Sequence, residues 1–229
     1  MGVGAPIRTG SHIAVVDPGV RVPELDCFNR MSRRSPIPLT YHLPALFGLE
    51  SLRRTEEALA GVVVLGSGAS VHDPLAWQDE LKAWLRPRML AGTPFLGLCY
   101  GHQLGADLLG GEVGYLHADR RKEQGMREIR LEGNGLWGGP CAGRLMVSHR
   151  ETVVRVPEGC AVVGASPVVA VEAFAHRHLP IWGFQAHPEA TPAFAVNNGV
   201  PFDEEPGVLA FGHRLVDGFF DRIAVGAEG

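Results

Sequence analysis

The sequence predicts an α/β fold with a mostly parallel central sheet, flanking helices and a small antiparallel sheet. Three observations carry that expectation. Apolar runs open "HIAVVDPG" (12–19), "GVVVLGSGAS" (61–70) and "TPFLGLCYG" (93–101), as buried strands do. Helical patterns at 73–92 and 102–111 alternate with them, which is the rhythm of crossover connections between parallel strands. From about Met126 the pattern changes to short strand-like runs separated by turns.

In order along the chain, His12–Gly19 reads as a first strand closed by a Pro-Gly turn. Residues 20–38 carry arginine, serine and proline without a clear period and read mostly as loop. "LESLRRTEEALAG" (49–61) reads as mixed helix and loop, with Gly61 as its stop. In 73–92, Leu75, Trp77, Leu81, Trp84 and Leu85 share one helical face. Asp73 before Pro74 marks the helix start, and Pro87 is expected to break or kink it. Trp77 and Trp84 are expected in the core. "HQLGADLLGG" (102–111) is a helix ended by glycines. Six strand-like runs follow, "REIRLE", "GRLMVSH", "ETVVRVP", "CAVVGAS", "VVAVEAFA" and "PIWGFQAHPE". "FGHRLVDGFFDRIA" (211–224) returns to helix, with Leu215, Phe219, Phe220 and Ile223 on one side. No repeat or low-complexity linker interrupts the chain, so a single domain over residues 1–229 is expected.

Composition narrows the function. Hydrophobic residues make up 45% and charged residues 20%, as in ordinary globular proteins. A net charge of -4 argues against nucleic acid as a partner. The arginine pairs at 33–34, 53–54 and 120–121 read as solvated faces. No apolar run is long enough to cross a bilayer, and the N-terminus lacks the long apolar segment of a signal peptide. Cys27, Cys99, Cys141 and Cys160 are widely spaced, without a metal or disulfide pattern, which fits a reducing cytoplasm.

Gly97-Leu98-Cys99-Tyr100-Gly101 has the form G-x-C-x-G, a thiol version of the nucleophile elbow. A strand that turns sharply into a helix strains the apex residue and leaves no room for side chains beside it, hence the glycines. Cys99 at a helix N-terminus would meet the positive end of the helix dipole, which favours thiolate. The next backbone N–H, from Tyr100, would face a developing oxyanion. The plainer alternative is a core cysteine in a glycine-rich turn. A thiol nucleophile also needs a base. In "GFQAHPEA" (183–190), Pro188 favours extended backbone at His187. Residues i and i+2 then share a side, so Glu189 can hold one imidazole nitrogen while the other faces Cys99. Alone, His187-Pro188-Glu189 would read as a surface turn.

Gly97-Leu98-Cys99-Tyr100-Gly101-His102-Gln103 and His187-Pro188-Glu189 together resemble the two signatures of class I glutamine amidotransferase domains. The resemblance covers most of the chain in the family's order and is nearest the GMP-synthetase-like branch. It implies a flavodoxin-like fold and hydrolysis of glutamine to glutamate and ammonia through a γ-glutamyl thioester. Cys99 matches the family's nucleophile, His187 its base and acid, and Glu189 its orienter. Tyr100 and Gly68 match the two backbone donors of the oxyanion hole. Gln103, and Ser148 with His149 in "VSHRE" (147–151), match residues at the substrate. No cofactor and no metal are implied. The implied partners are L-glutamine or another γ-glutamyl compound and a separate ammonia-consuming synthase subunit, with no nucleic acid and no membrane.

Three departures stand out. The family's Ser-Gly-Gly-Pro turn is Gly66-Ser67-Gly68-Ala69 here. Ala186 stands where a phenylalanine is frequent. "EATPAFAVNNGVPFDEEPG" (189–207) reads as a longer loop, with a turn at Asn197-Asn198-Gly199 and an acidic face at Asp203, Glu204 and Glu205. Two other functions share these residues. One is a stand-alone γ-glutamyl peptidase using the same triad. The other is a catalytically silent binding or regulatory subunit, to which the altered turn points.

Overall fold

A computed structural model describes residues 11–203 and 205–225. The expectations for the first ten residues and for Glu204 lie outside that range. The strands are β1 His12–Val16, β2 Leu39–His42, β3 Leu59–Val64, β4 Phe95–Leu98, β5 Glu112–Tyr115 and β6 Glu123–Leu131. They continue with β7 Cys141–His149, β8 Glu151–Arg155, β9 Cys160–Ala165, β10 Ala173–His176 and β11 Ile181–Phe184. The helices are α1 Leu25–Arg34, α2 Pro44–Phe47, α3 Glu50–Thr55, α4 Ala76–Leu90, α5 Tyr100–Leu108, α6 Pro192–Asn198 and α7 Ala210–Val225.

One nine-stranded sheet runs β2-β1-β3-β4-β11-β10-β9-β6-β7, and β5 pairs with β8 in a separate two-stranded antiparallel sheet. The first five strands in that order are parallel, and antiparallel ladders extend them through β10, β9, β6 and β7. The parallel strands are apolar on both faces because helices cover both. Ile13, Val15, Val63, Leu65, Leu96 and Leu98 pack on one side with Phe219 and Phe220 of α7. Ala14, Val16, Val62, Val64 and Phe95 pack on the other with Leu81, Leu85 and Leu104 of α4 and α5. This period-two division is what a double-sided sheet requires.

Several local expectations are corrected. Residues 25–34 are helix, not loop: α1 buries only Cys27 and Met31, one turn apart, so its pattern is faint. Gly61 does not stop a helix. It lies inside β3, where a Cβ would stand 2.7 Å from Ile223 Cδ1. The 73–92 helix begins at Ala76, because the Asp73 carboxylate instead accepts the Ser70 N–H in the preceding turn. Pro87 lies within α4 and does not end it. Trp84 is buried, whereas Trp77 is half-buried beside the Tyr100 ring. The 189–207 stretch is not all loop. Thr191 caps α6 by accepting the Phe194 N–H, Pro192 opens the helix, and Gly199 closes it in the left-handed region.

Candidate active site

The cleft forms at the carboxyl ends of β4 and β11, as ligand sites do in α/β sheets. These neighbours pair in parallel, with Phe184 opposite Leu98. Cys99 follows β4 directly and adopts φ 52°, ψ −99° at the head of α5. It is one of two described non-glycine residues with positive φ. Such backbone costs about 1–3 kcal/mol and persists only where its surroundings over-determine it. Here the Cys99 N–H donates to Phe184 O at 2.8 Å, and the Gly101 N–H to Leu65 O at 3.2 Å. A Cβ on Gly97 would collide with the Gly101 carbonyl, and one on Gly101 with the Val64 carbonyl. The elbow therefore closes only with glycine at both places.

His187 lies just past β11 and is pinned to β7, its N–H donating to Met146 O at 2.8 Å. Its Nδ1 meets Glu189 Oε1 at 3.0 Å, and both side chains are buried. Gly66 packs between base and thiol. A Cβ there would stand 2.7 Å from His187 Cε1 and 3.7 Å from Cys99 Cβ. Burial by itself lowers the His187 pKa, but the Cys99 and Glu189 charges outweigh it and raise it to about 10.

Gly68, Gln103, Ser148 and His149 also line this cleft of about 680 Å³, whereas the Tyr100 side chain is buried in the core. Gly68 lines it, and Ser67 anchors its turn by donating to Pro18 O at 2.8 Å. Tyr100 is the first residue of α5, directly after Cys99. The Ser148 carbonyl lies 4.0 Å from Cys99 Sγ. Gln103 Nε2 donates to the Glu151 carbonyl at 2.7 Å. His149 Nδ1 meets that same carbonyl at 3.0 Å, and Arg127 donates to its Nε2 at 3.2 Å. Burial first, then the Arg127 charge, lowers His149 to about 4. It is therefore neutral, with its proton on Nδ1.

Four residues here were missed from sequence. Gln185, fully buried, donates from Nε2 to Cys99 Sγ at 3.8 Å and accepts from Gln103 at 3.3 Å. Arg127 and Glu172 form a buried ion pair at 3.0 Å behind His149. Phe194 of α6 lies against the His187 ring, with centroids 4.4 Å apart. Of these, Gln185 had a signal. It shares the alternating side of His187 and Glu189, two residues earlier.

An acidic group lies behind the base. The Asp17 carboxylate accepts from Tyr41 and from the Glu24 N–H, and Glu24 Oε1 accepts from Asn198 at 2.7 Å. Burial first, then the charges of Asp17 and Glu189, raise Glu24 from 4.5 to about 7, against the Asn198 hydrogen bond. A carboxyl whose folded pKa is raised contributes stability that is full below the unfolded value, near 4.5, and is lost as pH rises through about 7. Glu24→Gln keeps the acceptor for Asn198 and removes the charge. It is expected to be more stable than the parent at pH 8 and to lose part of the parent's decline between pH 5 and 8. Urea unfolding at both pH values checks this, and an unchanged decline refutes it.

A thiol held strained at a helix head beside a buried histidine–carboxylate pair is an arrangement that nucleophilic thiol chemistry can use. Residues 48–197 match the family model of class-I glutamine amidotransferases, and the chain belongs to that family. It is 39% identical over 149 residues to a subunit of GMP synthase [glutamine-hydrolyzing] from Methanocaldococcus jannaschii, covering 64% of this chain and 73% of that one. It is 35% identical over 130 residues to GMP synthase [glutamine-hydrolyzing] of Mycolicibacterium paratuberculosis, covering 56% of this chain and 23% of that enzyme. Its fold resembles the crystal structure of a putative GMP synthase subunit from Thermoplasma acidophilum. The TM-score is 0.74 at 20% identity, over 95% of this chain and 96% of that one. A glutamine amidotransferase from Thermotoga maritima gives a TM-score of 0.71 at 18% identity, over 93% and 97%. Among the described residues, no helix is long and apolar enough to cross a membrane.

Proposed function

We propose that this chain is a cytoplasmic, single-domain glutaminase that hydrolyses the side-chain amide of L-glutamine and passes ammonia to a separate synthase subunit. The observation that carries this reading is the buried His187–Glu189 pair set against Cys99 at the strained elbow. The Cys99 thiolate attacks the amide carbon. The tetrahedral oxygen takes hydrogen bonds from the backbone N–H groups of Tyr100 and Gly68. His187 gives its proton to the departing nitrogen, and ammonia leaves a γ-glutamyl thioester on Cys99. Water then attacks the thioester, His187 takes its proton, and glutamate departs with the thiolate restored. Glu189 keeps the imidazole turned and supports its positive charge. Gln103, Ser148 and His149 hold the substrate's amino-acid end.

The partner reading is supported by the name of the Methanocaldococcus relative, one subunit of a glutamine-hydrolysing GMP synthase. One observation favours a second substrate class. The cleft's volume is typical of sites for ligands larger than one amino acid, so γ-glutamyl conjugates also fit. Release of ammonia and glutamate from glutamine by the purified chain, compared with release from γ-glutamyl dipeptides, tests the choice. Within this mechanism, His187→Ala is expected to cost about 10⁴-fold or more in kcat, as loss of a triad base does. Glu189→Gln is expected to lose less, since the base remains. Steady-state rates compare them, and an equally deep loss in Glu189→Gln would overturn that division of roles.

A further inference from the structure

Gln185 is fully buried, and its amide faces Cys99. Its Nε2 donates to Sγ at 3.8 Å, while its Oε1 accepts from Gln103 Nε2 at 3.3 Å. Which end of this amide meets the sulfur is fixed from outside. The Glu151 carbonyl can only accept, so Gln103 turns its NH2 group toward it, at 2.7 Å. The second N–H of that group reaches Gln185, whose oxygen must then face Gln103 and whose NH2 must face Sγ. A backbone carbonyl of β8 thus sets the polarity of two side chains in a chain that ends at the thiol.

The backbone makes this donor hard to move. The Gln185 N–H donates to Glu172 O at 2.7 Å, and the His187 N–H to Met146 O at 2.8 Å. One segment after β11 therefore delivers both side chains to Cys99, two residues apart on the same side. Among the described residues, the other hydrogen-bond partner of Sγ is the Ser148 carbonyl, at 4.0 Å. A carbonyl suits the thiol and repels the thiolate, whereas an N–H donor suits the thiolate. Were Gln185 only filling space, an apolar side chain would do so without the cost of burying an amide.

We propose that Gln185 is the donor that holds Cys99 in its thiolate form, with Gln103 as the positioning residue that keeps the amide turned. The inference rests on the part of the reading above that makes Cys99 the nucleophile, not on which amide it attacks. The hydrogen bond to sulfur is strongest while the sulfur is charged. It therefore acts before attack, and again when the thioester breaks and the thiolate departs.

The test is the pH dependence of iodoacetamide alkylation at Cys99, read by mass spectrometry of its peptide so that Cys27, Cys141 and Cys160 do not contribute. Cys99 lines the cleft, so the reagent reaches it. Around it stand His187 with Glu189, Lys122, His149, Arg150 and Glu151, and every variant keeps them. Gln185→Met keeps the length of the side chain and removes the donor. Its alkylation midpoint is expected to rise by about one pH unit, tenfold in thiolate population, as loss of one hydrogen bond to a charged atom predicts. The plateau rate at high pH should hold or rise, since a thiolate without its donor is the stronger nucleophile. Gln103→Met should raise the midpoint less, and the double variant no more than Gln185→Met alone, because Gln103 acts through Gln185. An unchanged midpoint in Gln185→Met overturns the proposal. A fallen plateau also overturns it, because the cysteine has then been displaced. Fully additive shifts overturn the role given to Gln103. If Gln185→Met does not fold, Gln103→Met decides: a raised midpoint supports the proposal and an unmoved one overturns it. A parent that shows the alkylation profile but releases no ammonia from glutamine defeats the glutaminase reading alone.

Discussion

Cys99→Ala is expected to release no ammonia from glutamine above background, a loss of about 10⁴-fold or more, as when a covalent nucleophile is removed. The fold should survive, since alanine fits wherever cysteine does. The backbone strain also survives, because alanine at φ 52°, ψ −99° is no more comfortable than cysteine. Cys99→Gly separates these effects. Glycine relieves strain worth about 1–3 kcal/mol and costs about 0.5–1 kcal/mol in extra backbone entropy. The glycine variant should therefore melt above the alanine variant, with both inactive. Ammonia release by either would sink the nucleophile assignment. A glycine variant that melts lower would show that the elbow stores little strain.

Gly97→Ala is expected to destabilise the protein by about 3 kcal/mol or more, at the severe end for adding one methyl to a packed interior. The new Cβ meets the Gly101 carbonyl, and α5 cannot retreat, because Gly101 already lies on the Val64 carbonyl of β3. Strand, helix and strand make a stack with no side chain between them. Any relaxation must tilt α5, which carries Cys99 at its head. Denaturant unfolding should show the loss, and activity per folded molecule should fall with it. An unchanged midpoint would mean that the elbow has slack which the structure lacks.

The parts legible in sequence were those whose signal is local and strong. Buried parallel strands are apolar on both faces, so β1, β3 and β4 stood out as runs. The edge strand β2 is half-buried and only four residues long, and α1 hides behind two core side chains. Both are held by tertiary contact; Arg30 of α1, for example, pairs with Asp217 of α7 at 2.7 Å. For α6 the cap residues were present, but Asn197-Asn198-Gly199 reads equally as a turn or a helix end. At the site, Cys99, His187 and Glu189 announced themselves through glycine and proline neighbours. Arg127 and Glu172 had no such flags. They pair across 45 residues of sequence, from β6 to the residue before β10, and no short window contains that.

The sheet order bears on how the chain reaches this state. β11 lies between β4 and β10, yet it follows β4 in sequence by more than eighty residues. Until β11 is synthesised, the strand leading to Cys99 has no neighbour on one side. It is an apolar template open to other chains. Insertion of β11 closes that edge and delivers His187 in the same event. Closure of that edge and placement of His187 beside Cys99 thus depend on the same long-range pairing of β4 with β11.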